Sequence, residues 1–101
     1  MAINYNLNTV TTTPYLVNKD TDEVILVNVP TISSVVLPTI AAGKNTAFYI
    51  KDSSGDAKTN PIFITSAGGE TINGVSFAIL NVNFSHIQLV WDGSNWQTIS
   101  N

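Results

Sequence analysis

This chain predicts an all-β fold, an antiparallel β-sandwich or barrel-like module of eight to nine short strands, and three observations predict it. Short runs rich in Val, Ile and aromatic residues recur along the whole length, each bounded by Gly, Asn, Asp, Ser or Pro. The chain closes on a hairpin signature, HIQLVWDGSNWQTIS (86–100), with two aromatic-bearing runs around Asp92-Gly93-Ser94-Asn95. No window of ordinary helix length carries an apolar stripe at helical spacing.

The elements follow in order. Residues 1–12, MAINYNLNTVTT, are polar and rich in Asn and Thr, and read as an extended arm or a first edge strand. The remaining residues, 13–101, form a single β domain. PYLVN (14–18) is a short run and NKDTDE (18–23) a turn. VILVNV (24–29) is a strong strand stopped by Pro30, and SSVVLP (33–38) another stopped by Pro38. TIAAGKN (39–45) is the best candidate for a helical turn or loop. TAFYIKD (46–52) and PIFITSA (61–67) are strands separated by the turn residues DSSGDAKTN (52–60). GGETINGVS (68–76) holds a short strand at 70–72 and a turn at Asn73-Gly74, the pair that accepts the positive φ angles of a tight hairpin. SFAIL (76–80), SHIQLVW (85–91) and WQTIS (96–100) complete the set.

The strands carry a second message. Val24 and Leu26 point to one side of VILVNV, and Ile25, Val27 and Val29 to the other, so both faces are apolar. Ala47 and Tyr49 oppose Phe48 and Ile50, and Ile62 and Ile64 oppose Phe63. A sheet with one face in water should alternate apolar with polar. A chain of 101 residues has little material to cover two faces, and domains this small gain from association. Burial against another subunit is therefore expected, with Ile25, Val27 and Val29 as candidate interface residues.

Composition excludes several function classes. Charged residues make up 11% of the chain, against about 25% in an ordinary soluble domain. The net charge is −3, and the four lysines, Lys19, Lys44, Lys51 and Lys58, are scattered, whereas a nucleic-acid surface needs clustered cations to release counterions. No nucleic-acid partner is expected. The absence of cysteine excludes disulfides, thiolate metal sites and cysteine nucleophiles. MAINYNLN lacks the basic and apolar regions of a signal peptide, and the apolar runs are too short to span a bilayer, so the expectation is a chain made in a cytoplasm, with no membrane partner.

Candidate chemistry is sparse. Asp52, Ser54 and Asp56 around Gly55 have the look of a calcium loop, but Phe63 stands where the twelfth-position Glu belongs, and an ordinary turn accounts for them. His86 is the one histidine and has no Cys or second His beside it. Six of the seven acids fall in predicted turns, where solvation accounts for them. No catalytic residue, metal site or cofactor is expected. Trp91 and Trp96 flank Asp92 and Asn95, and an exposed Trp beside such groups is a way to hold a sugar: the ring stacks and the polar groups bond hydroxyls. The plainer account is that both rings cap the core at a hairpin end.

TPYLV (13–17), DEVILVN (22–28), VVLP (35–38), YIKDSSGDAKTNPIFIT (49–65), GGETINGVSFAI (68–79) and HIQLVWDGSNWQTI (86–99), in that order and spacing, resemble a small β module of bacteriophage fibre, spike and head-decoration proteins. The resemblance covers most of the chain. It implies a non-enzymatic homotrimer on the virion surface, a short head fibre or decoration protein or a tail-fibre module, with a capsid or tail protein as partner. The alternative is a carbohydrate-binding receptor-recognition module at a fibre tip, contacting a host surface glycan through Trp91, Asp92, Asn95 and Trp96. Residues 1–12 are then the candidate attachment arm, with Ile3, Tyr5, Leu7 and Val10 spaced to add a strand to an exposed edge on the partner.

Overall fold

In a computed structural model, which describes residues 6–42 and 44–99, nine strands form two sheets and no helix occurs among the described residues. The strands are β1 (Leu7–Val10), β2 (Tyr15–Leu16), β3 (Val24–Val27), β4 (Ser33–Leu37), β5 (Thr46–Asp52), β6 (Ile62–Ser66), β7 (Ala78–Leu80), β8 (His86–Trp91) and β9 (Trp96–Ile99). One sheet has the order β1-β3-β5-β8-β9 and the other β2-β4-β6-β7.

The wholly antiparallel arrangement expected from the sequence is corrected: both sheets are mixed. From β1 to β6 the chain alternates between the sheets, so each strand's neighbour in its own sheet lies two elements away and runs the same way. β1, β3 and β5 pair in parallel, as do β2, β4 and β6. The chain then turns back within each sheet, giving antiparallel β6-β7, β5-β8 and β8-β9 pairs. Segments 11–14 and 28–32 are corners that carry the chain from one sheet to the other. Segment 39–45 likewise holds a turn, closed by the Lys44 N–H donating to the Ala41 carbonyl at 3.2 Å.

Inward side chains from both sheets meet in one core. Val10, Ile25, Val27, Phe48, Ile50, Ile87 and Leu89 come from the larger sheet, and Val35, Leu37, Ile62, Ile64 and Leu80 from the smaller. Trp96 is fully buried, its ring centroid 6.0 Å from Phe48 and 5.3 Å from Trp91. The Asn73-Gly74 turn is present: φ is 52° and 81° at the two residues, and Ile72 bridges Val75 across them. This turn also guards a sheet edge. The Trp96 N–H donates to the Thr71 carbonyl at 2.9 Å and the Asn73 N–H to the Trp96 carbonyl at 3.0 Å, so 71–73 lies along β9. Covering an edge in this way removes a template for unwanted strand pairing.

Candidate functional site

The Trp91–Trp96 hairpin does not offer a stacking platform. Trp91 and Trp96 are directly paired across β8 and β9 on the inward face, 4% and 0% exposed. Both rings belong to the core, which corrects their candidacy as sugar contacts. Asp92 and Asn95 are engaged in the fold. The Asp92 carboxylate accepts from the Asn95 and Ser94 N–H groups at 2.9 Å each and from the Gln97 side-chain amide at 3.0 Å. These bonds hold its carboxyl at about 2, because each favours the charged form. Asn95 Oδ1 accepts from the Thr71 N–H and hydroxyl, both at 3.1 Å, tying the hairpin to segment 71–73.

Ile25, Val27 and Val29 are also relocated. They are 0%, 2% and 5% exposed within a single chain, so they fill its own core and cannot meet another subunit. The opposite parity faces out: Val24 and Leu26 are half-buried on β3. Of the candidate arm residues, Ile3 and Tyr5 lie outside the described residues. Leu7 and Val10 belong to β1, an edge strand paired with β3, and Val10 is buried. The described part of 1–12 thus takes the form of a first edge strand.

Two acids expected to be solvated are buried. Asp22 accepts from the Tyr15 hydroxyl and, at 2.9 Å, from the Asn18 N–H. Burial first, and then the Asp22 carboxylate, push the Tyr15 pKa upward. Asp52 is 1% exposed at the end of β5. Its carboxylate accepts from the Ala57 N–H (2.9 Å), the Phe84 N–H (3.0 Å), the Gly55 N–H (3.1 Å) and the Ser54 hydroxyl (2.8 Å). Burial raises its pKa, but the four hydrogen bonds together outweigh burial and the net shift is downward. The Ser54 hydroxyl also bonds Asp56, which bonds Asn60. The acids that resemble a cation loop are therefore acceptors for the loop's own donors. Among the described residues no group of three or more His, Cys, Asp or Glu is placed to hold a metal ion.

Phe84 was not legible as part of this loop. It adopts φ 62°, an unusual value for a bulky residue, and its ring packs on Gly55. A Cβ on Gly55 would fall 2.2 Å from Phe84 Cζ, at a φ of +79° that side chains disfavour. Gly55→Ala is expected to lower unfolding free energy by about 1–3 kcal/mol, read from the urea midpoint; an unchanged midpoint would refute the contact. His86 lies exposed at the start of β8, opposite Lys51, in a shallow hollow shared with Val24 and Tyr49.

With the inward positions filled, the notable surface is apolar. Leu16, Phe77 and Ile79 stand 61%, 46% and 38% exposed on and beside the smaller sheet, and Leu7 and Ile99 are exposed on the larger. No helix among the described residues is long and apolar enough to cross a membrane. No protein-family model matches the chain, and no curated protein matches it significantly.

Proposed function

We propose that this chain is a non-enzymatic structural component of a bacteriophage virion surface, a short head fibre or decoration protein or a tail-fibre module, built as a sandwich that works as a homotrimer. The observation that carries this reading is the pair of apolar outer faces. Each sheet buries one side in the common core and still presents apolar side chains on the other, Val24, Leu26 and Ile99 on the larger sheet and Leu16, Val36, Phe63 and Ile79 on the smaller. Contiguous exposed apolar surface on a small protein marks an interaction site. The phage assignment itself rests on the sequence resemblance, and the burial of Trp91 and Trp96 favours a structural role over the glycan-binding alternative.

Two measurements test it. Light scattering at micromolar concentration should give three times the 10.8 kDa chain mass; a monomeric mass refutes the trimer. Immunogold labelling of purified virions from the phage that encodes the chain should mark the particle surface. Virions that carry no label refute the virion assignment. Attachment through Ile3, Tyr5 and Leu7 is part of the same proposal. Replacing all three with Ser should leave the trimer intact and abolish rebinding to virions that lack the protein; undiminished rebinding would rule the segment out as anchor.

A further inference from the structure

We infer that copies of this chain associate through the outer face of the β2-β4-β6-β7 sheet, which they turn toward a common axis; this rests on the self-association proposed above. The alternation of burial along each strand fixes which residues face out. On β4 the outward residues are Ser34 and Val36, on β6 Phe63 and Thr65, on β2 Leu16 and on β7 Ile79. Register makes them a continuous surface: Ser34, Phe63 and Ile79 are aligned across three strands, and Leu16, Val36 and Thr65 across another three. The Phe77 ring extends it, 5.8 Å from the Phe63 ring.

Charge decides between the two outer faces. None of the residues on the smaller sheet's outer face is ionisable. The outer face of the larger sheet carries Lys51 on its central strand, one residue from the end of β5, with His86, the first residue of β8, paired beside it. The Lys51 ammonium is held by the Phe84 carbonyl at 2.7 Å. Three pairings of faces between copies are available. Larger against larger would press the Lys51 ammonium groups together in an apolar contact. Larger against smaller would bury Lys51 against a surface with no acid to meet it. Both leave a buried charge without a counter-ion, which is costly. Smaller against smaller buries Leu, Val, Ile and Phe with Ser and Thr, and no charge at all. The Lys19–Asp20 ion pair follows β2 at the margin of this face, where both groups keep their water. The surface is therefore complementary to a second copy of itself.

The test is the mass of paired variants by light scattering, with far-UV circular dichroism to verify folding. Ile79→Asp and Thr65→Lys place a charge on the smaller sheet's outer face at positions outside the core; Val24→Asp places one on the larger sheet's outer face. The expected result is a trimeric wild type, folded monomers for Ile79→Asp and Thr65→Lys, and a retained trimer for Val24→Asp. If one of the first two unfolds, the other is read alone. Trimers that survive both smaller-sheet charges, or that dissociate equally with Val24→Asp, overturn the choice of face while leaving the trimer standing. A monomeric wild type overturns the association itself.

Discussion

Trp96→Ala should remove about 3–5 kcal/mol of unfolding free energy, the range for deleting a large buried aromatic side chain. Trp96 is fully buried and packs against both Phe48 and Trp91. Alanine leaves a hole bounded by two stiff rings, and strands fixed by the β8-β9 ladder cannot collapse into it. A domain of this kind holds only about 5–15 kcal/mol in total, so the variant should unfold at a much lower urea midpoint with an unchanged slope. Trp96→Phe should cost far less. It keeps a ring in place and removes an indole N–H that has no hydrogen-bond partner among the described residues, so the lost packing is partly offset by a lost desolvation penalty. A Trp96→Ala protein as stable as the wild type would remove the ring from the core and revive the sugar-platform reading.

The strands were legible in the sequence because β-branched and aromatic runs between turn residues have a local cause. TAFYIKD coincides with β5, and the Asn73-Gly74 turn follows from the φ values those two residues tolerate. Two things were not legible. The first is which side of a strand faces in. Where both parities are apolar, as in Val24–Val27, the pattern carries no phase, and a one-residue shift exchanges core for surface. That is why the pattern alone points Ile25 and Val27 toward an interface, whereas both fill the chain's own core. The second is anything that depends on a distant partner. Pro30 shows where the VILVNV run stops, but that residues 28–32 carry the chain into the other sheet depends on the pairing of β3 with β5. The acids after Lys51 looked solvated because local sequence cannot show that Phe84 closes over them. The face proposed for association has its own signal, the uncharged outward set on β4 and β6, but that signal becomes readable only once the phase is known.

Asp52→Ala should cost about 2–5 kcal/mol, because it takes one acceptor from several donors, of which the Ala57 N–H is buried and the Gly55 and Phe84 N–H groups part-buried, and a buried donor left unpaired costs about 1–3 kcal/mol. Gly55, Ala57 and Phe84 donate backbone N–H groups that cannot rotate away, and the Phe84 bond joins segments 32 residues apart. Losing it frees the 81–85 loop from the end of β5, and with it the ring that covers Gly55. Asp52→Asn keeps the shape and one acceptor oxygen but turns an amide NH₂ toward donors, so it should fall between wild type and Asp52→Ala. The pH dependence separates charge from shape. The folded-state pKa of Asp52 lies below its ordinary value of 3.8, so the folded protein binds this proton less readily than the unfolded chain. Its contribution is fully present above the unfolded pKa and is lost as pH falls through the lower folded value. Wild type should therefore lose stability steeply below about pH 4, and Asp52→Asn should lose less over the same interval, so the two urea midpoints converge in acid. Equal acid slopes for the two proteins would show that the carboxylate is not charged in the fold, and would place the loop's organisation elsewhere.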